Sequence, residues 1–143
     1  MSKRREIIKD VIDTIKKVKT PKLGVVTGKA EDLTRLARTA FPHVRVDVAS
    51  ETAEDIAMDS RLATLQVSVQ VSLLAQEKGL SAEEQMSKII EAIEEKLEKD
   101  RKRNKQAQTT ELLEVSELES SAYPITQSTM TYNIQYTYTR GNR

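Results

Sequence analysis

The sequence predicts an α+β fold: a two-layer sandwich in which a mostly antiparallel sheet of about four main strands carries two amphipathic helices on one face. Three observations predict it. Leu65, Val67, Val69, Val71 and Leu73 alternate with Gln66, Ser68, Gln70 and Ser72, and Met130, Tyr132, Ile134, Tyr136 and Tyr138 alternate with Thr131, Asn133, Gln135 and Thr137. That period of two turns alternate side chains to opposite faces of a strand. Two other segments space their apolar residues three and four apart, as one face of a helix requires. Each element is thus apolar on one side only, and laying both helices on the same sheet face buries every apolar side at once.

The first helix covers 3–18, where Ile7, Ile8, Val11, Ile12, Ile15 and Val18 make the apolar stripe. It stops before Lys19-Thr20-Pro21-Lys22 because a proline disfavours helical geometry in the residue before it. A short apolar run, 23–27, sits between that proline and Gly28 and reads as a strand. Over 30–41 the spacing of Leu33, Leu36, Ala37 and Ala40 is helical, but Phe41-Pro42 closes the stretch within about three turns, so it reads as a short helix or ordered loop. Val44, Val46 and Val48 alternate with His43, Arg45 and Asp47 as a strand. The polar segment 50–59 then reads as a loop or a widened hairpin, ahead of a long strand over 61–75.

Lys78-Gly79 breaks the chain, and Ser81 with Glu84 forms a capping box that satisfies free amides at the start of the second helix. Met86, Ile89, Ile90, Ile93 and Leu97 supply its buried stripe, and it runs to about Asp100. Arg101-Lys102-Arg103-Asn104-Lys105 follows as a basic, polar connection. A strand over 112–118 has imperfect alternation, Ser120-Ser121-Ala122-Tyr123-Pro124 reads as a turn region, and the last strand covers 128–139 before the short tail Arg140-Gly141-Asn142-Arg143. Internal repeats and low-complexity segments are absent.

At 143 residues the chain fits a single α+β domain over 1–143, long enough to bury roughly 68–70% of its unfolded surface. Lys plus Arg number 23 against 22 for Asp plus Glu, a net charge of +1 that offers no general attraction to nucleic acid or to an anionic membrane. The absence of cysteine excludes disulfides, thiolate catalysis and thiolate metal sites. The charged segment 1–10 lacks the apolar core of a secretory signal, and no stretch approaches the roughly 20 apolar residues of a membrane span. The expectation is a soluble protein with no membrane partner.

Catalytic constellations are missing. The single histidine, His43, reads as structural or solvated. Asp47, Asp55 and Asp59 match no metal loop with its glycine and terminal glutamate. Leu23-Gly24-Val25-Val26-Thr27-Gly28-Lys29 ends in Gly-Lys without the spacing or the Ser/Thr of a phosphate-cradling loop. No nucleophile elbow, dinucleotide fingerprint or zinc-protease helix is present. The reading is therefore a protein that is not an enzyme, with no catalytic residue, metal or cofactor.

Two groups of residues are candidates for binding. Gln66, Ser68, Gln70, Ser72, Thr131, Asn133, Gln135 and Thr137 form strand faces built from amides and hydroxyls alone. A solvated sheet face usually carries Lys and Glu, so these eight read as a subunit or tube interface, with a plain exposed face as the alternative because Thr and Ser suit strands. Lys99, Arg101, Lys102, Arg103 and Lys105 put five cations within seven residues at the exit of the second helix. The helix dipole favours cations there; the functional reading is a loop that meets phosphate or faces a channel. Tyr132, Tyr136 and Tyr138 share a face with Met130 and Ile134 and are expected to pack under the helices.

Taken in series, the amphipathic first helix, the long strand 65–73, the helix closing with Leu97-Glu98-Lys99-Asp100 and the terminal Tyr132-Asn133-Ile134-Gln135-Tyr136-Thr137-Tyr138 resemble the tail terminator (tail completion) proteins of long-tailed bacteriophages, the family of the lambda-type minor tail protein U. The likeness spans nearly the whole chain and rests on pattern and element order. It implies a structural virion protein that forms a hexameric ring on the finished tail tube, stops polymerisation and presents a surface to the head. The implied partners are copies of itself, the tail tube protein and a head or neck connector, with DNA passing nearby. The implied location is the head-proximal end of the virion tail, after assembly in the host cytoplasm. Another neck, head-completion or tube protein, or a small nucleic-acid-binding domain, are the competing expectations.

Overall fold

The computed structural model describes residues 3–19, 22–29, 35, 38–74, 82–103, 107–116, 119–122 and 125–141. Its elements are helix α1 (Lys3–Lys16), strand β1 (Val26–Thr27), a 3-10 turn (Arg38–Ala40), β2 (His43–Asp55), β3 (Ser60–Leu74), α2 (Ala82–Lys99), β4 (Thr109–Val115), β5 (Glu119–Ala122) and β6 (Ile125–Thr139). One six-stranded sheet has the order β1-β2-β3-β6-β4, with β5 also pairing β6. Every pairing is antiparallel except the short parallel contact of β1 with β2. The α+β class and the helix-on-sheet layering are as the hydrophobic pattern predicts.

The two alternating segments are the centre of the molecule. β3 and β6 pair along their whole lengths, from Ser60 opposite Thr139 to Leu74 opposite Ile125. Their apolar sides, Leu65, Val67, Val69 and Val71 with Met130, Tyr132, Ile134 and Tyr136, are buried. They meet Ile7, Val11 and Ile15 of α1 and Met86, Ile89, Ile93 and Leu97 of α2 in one core. Tyr132, Tyr136 and Tyr138 are all buried there, as expected. Truncating Ile93 in this core falls in the class that costs about 2–5 kcal/mol.

Several boundaries differ from expectation, among them β1, which is only Val26–Thr27 of the expected 23–27. The segment 50–59 is not a loop: β2 continues to Asp55 and only 56–59 turn the chain. A bulge between Val48 and Ser50 is the cause. One extra residue shifts the alternation, so Val44, Val46 and Val48 face the helices before it, while Glu51 and Ala53, opposite Leu65 and Ala63, do so after it. A period of two read straight through that point fails. A second bulge, between Leu112 and Glu114, disturbs β4 in the same way; β4 lies at Thr109–Val115, earlier than 112–118. Part of the expected turn at 120–124 is β5, and β6 starts at Ile125, ahead of 128. α1 ends at Lys16, with the Val18 amide still donating to the Ile15 carbonyl at 3.0 Å. Ser81, and most of 30–41 beyond the turn Arg38–Ala40, lie outside the described residues.

The glycine-rich run has a packing role. A Cβ on Gly24 would lie 2.3 Å from the carbonyl carbon of Ala40 and 2.7 Å from the Phe41 nitrogen. Only glycine permits that approach, which lets the Gly24 amide donate to the Pro42 carbonyl at 2.9 Å and the Val25 amide to the Ala40 carbonyl at 3.1 Å. The Val44 amide donates to the Val25 carbonyl at 2.8 Å, which anchors β1 on β2.

Candidate functional site

The sheet face turned away from the helices carries the uncharged residues that the sequence singles out, and the register brings them together. Gln66 stands opposite Asn133, Ser68 opposite Thr131 and Thr64 opposite Gln135; Thr137 stands opposite Leu62, and Gln70 opposite Thr129. Gln66, Ser68, Gln70, Thr131, Asn133, Gln135 and Thr137 are all half-buried, shielded by their cross-strand neighbours. Several groups satisfy one another in the plane of the face. Ser50 Oγ donates to Gln66 Oε1 at 3.2 Å, Gln70 Nε2 to Gln127 Oε1 at 3.4 Å, and Gln127 Nε2 to Ser72 Oγ at 3.2 Å. Charge appears at the margins: Arg45 Nη2 donates to Asp47 Oδ2 at 3.1 Å on β2, and Glu111 stands opposite Asn133 on β4.

Ser72 departs from the expectation. It is buried, opposite His43 at the far end of the sheet and under the Gln127 amide, so it is part of the interior and not of a docking surface. His43 is buried as well, its ring centroid 6.4 Å from that of Phe41, which makes it the structural histidine of the two readings.

The basic loop is corrected more strongly. Arg103 is fully buried, with 0% of its side chain exposed. Its Nη2 donates to the Leu97 and Asp100 carbonyls, capping the last turn of α2, and its Nη1 lies 3.2 Å from Asp10 Oδ2 of α1. The residue sits at a φ of +48°, in the left-handed region. A cation that closes a helix end in this way satisfies carbonyls that have no intrahelical partner. Desolvation lowers the Arg103 pKa from its ordinary value, against the opposing pull of Asp10 and Asp100. Desolvation raises the Asp10 pKa more than Arg103 lowers it.

Arg101 is likewise held: its Nε donates to the Thr110 carbonyl at 3.4 Å, and its side chain lies 3.9 Å from both Glu98 and Glu111. Lys99 pairs with Glu95 at 3.8 Å. Lys102 is exposed and makes no ion pair among the described residues; Lys105 lies outside them. Arg103 thus fastens α2 to α1 and Arg101 ties its exit to β4, while the side chains of Lys99, Arg101 and Lys102 stay exposed.

Other candidate chemistry dissolves into structure. Asp47 pairs with Arg45, and Asp55 with Arg61 and Arg140. Among the described residues no cluster of three or more His, Asp or Glu is arranged to hold a metal ion, and no helix is long and apolar enough to cross a membrane. No aromatic ring among them is exposed, so the face offers no platform for stacking bases. Comparison of the chain with family models finds no match, and comparison with curated proteins finds none.

Proposed function

We propose that this chain is a structural assembly protein, a tail terminator of a long-tailed phage that closes the end of the tail tube as a ring. The observation that carries this reading is the uncharged face shared by β3 and β6, on which Gln66 and Gln70 already have partners in Ser50 and Gln127. Interfaces are depleted of charge at their centres, and covering amides and hydroxyls that already have partners costs far less than covering charges. The long, continuous strand pair gives the face a fixed register and therefore a fixed shape. The resemblance described for the sequence points to the same role.

In this reading, termination is steric. One side of the ring binds the tube end, and the other presents no surface that a further tube subunit recognises. The head or neck connector then docks on that second side, at the head-proximal end of the virion tail. Lys102, exposed and without an ion pair among the described residues, is the cation of the run that faces the channel or a neighbour in this reading. No chemical step and no cofactor enter.

The test is electron microscopy of tails assembled with and without the protein. Tails of uncontrolled length in its absence, and a ring at the tube end in its presence, are expected. Tails of normal length without it would overturn the reading. Self-polymerisation of the purified chain into tubes would instead make it a tube subunit.

A further inference from the structure

The turn between β2 and β3 ends in an apolar knob: Met58 is 90% exposed and Ile56 52%. The knob is held in place by its flanks. Arg61 Nε lies 3.0 Å and Arg140 Nη2 2.6 Å from Asp55 Oδ1. The Ile56 and Ala57 amides both donate to the Ser60 carbonyl, and the Arg140 amide donates to the Asp59 carbonyl at 2.8 Å. Three exposed acids, Glu54, Asp55 and Asp59, flank the knob against the two cations Arg61 and Arg140, which are both engaged by Asp55, so Glu54 and Asp59 are the charges it presents. An apolar group presented in a fixed shape loses little freedom when it docks.

Elsewhere on the same chain lies a groove of about 670 Å³ between α1 and β2. Ile8, Ile12 and Val48 supply its apolar lining, because α1 carries a second apolar row beside the one that enters the core. Its rim is basic, with Arg4, Arg5, Lys9 and Lys16 against the single acid Asp13, Arg4 being paired with Glu51. The acidic knob and the basic groove are thus complementary in both polarity and charge. A molecule's own knob cannot fill its own groove. Val48 and Asp55 are seven residues apart on one extended strand, so groove and turn are separated by roughly 20 Å.

We infer that the 56–58 knob of one copy docks in the α1–β2 groove of the next, as the joint between subunits. Such a joint is heterologous, the same two different patches meeting at every step, and it yields a ring when the rotation closes. The inference deepens the ring reading by naming the contact between copies, and that contact is testable with no tail present.

The chain contains no cysteine, so single introduced cysteines report position cleanly. Met58→Cys protein is mixed under oxidising conditions with Asp13→Cys protein, whose cysteine sits on the groove rim, or with Glu111→Cys protein as a control. All three positions are exposed. The expected result is a mixed disulfide with Asp13→Cys that forms several-fold faster than with Glu111→Cys, slows on adding Glu54→Lys and Asp59→Lys, and recovers when the groove partner also carries Lys9→Glu and Lys16→Glu. Equal rates at Asp13→Cys and Glu111→Cys overturn the joint. Failure of the cross-link while tails still carry a ring removes the joint and leaves the cap. A fast cross-link with tail length unaffected by loss of the protein keeps the joint and removes the cap.

Discussion

Tyr132 shows how a residue chosen for its apolar bulk brings a titrating group into the core. Its ring is buried between sheet and α2, and its hydroxyl has no hydrogen-bond partner among the described residues. Burial pushes its pKa well up, Glu94 and Glu98 push the same way, and Arg103 opposes them. A folded-state pKa raised above the unfolded value of 10.0 means that the unfolded chain loses this proton first as pH rises. The stability tied to the neutral phenol is therefore fully present below pH 10.0 and is lost as pH climbs from there through the raised folded value. Urea midpoints measured on both sides of that point should fall with alkaline pH in the parent and fall less in Tyr132→Phe. Equal slopes in the two proteins would remove Tyr132 as the cause. Tyr136 differs because its hydroxyl has a partner: it donates to Glu51 Oε1 at 2.6 Å, and Glu51 Oε2 lies 3.2 Å from Arg4 Nε.

Between elements, Arg103 acts where a glycine or asparagine usually ends a helix. Its left-handed backbone costs about 1 kcal/mol, and the guanidinium offsets this by closing the Leu97 carbonyl of α2 and the Asp100 carbonyl just beyond it, and by reaching Asp10 on α1. Arg103→Ala leaves helix-end carbonyls and the partly exposed Asp10 without their partner, so it should lower unfolding free energy by about 2 kcal/mol. A loss below about 0.5 kcal/mol, the range of ordinary surface changes, would show that the side chain is not the tie between the helices. The bulge in β2 is the other device at this scale. It turns Glu51 inward to Tyr136 and Arg4, which fixes the start of α1 over the sheet.

Across the whole molecule, one sheet face is covered by the two helices, while the other keeps a half-buried polar row from Gln66 to Gln70 and is buried only toward its Ser72 end. Placing a charge on the second face separates folding from contact. Gln70→Lys and Gln135→Lys should each keep the far-ultraviolet circular dichroism and unfolding midpoint of the parent, because both side chains are only half-buried on the helix-free face, while ring formation on tube ends is impaired. Normal rings from both variants would make that face ordinary surface. The near balance of 23 basic and 22 acidic residues fits contacts decided locally, as in the pairing of an acidic knob with a basic groove, since no net field steers the molecule toward one class of partner.

Periodicity alone was enough to read both helices, both central strands, the tyrosines under the helices and the polar row of the opposite face. Side-chain direction in a regular element follows directly from residue number, so an unbroken pattern carries its own geometry. The end of β2, the position of β4, the burial of Ser72 and the role of Arg103 were decided by tertiary structure. In the strands a bulge resets which residue faces inward, and nothing in a linear pattern marks where the extra residue falls. For Ser72 and Arg103 the deciding partners, Gln127 and Asp10, are distant in sequence and meet only once the chain is folded. A cation after a helix looks like solvated loop until a carboxylate from another helix is brought within 3.2 Å of it.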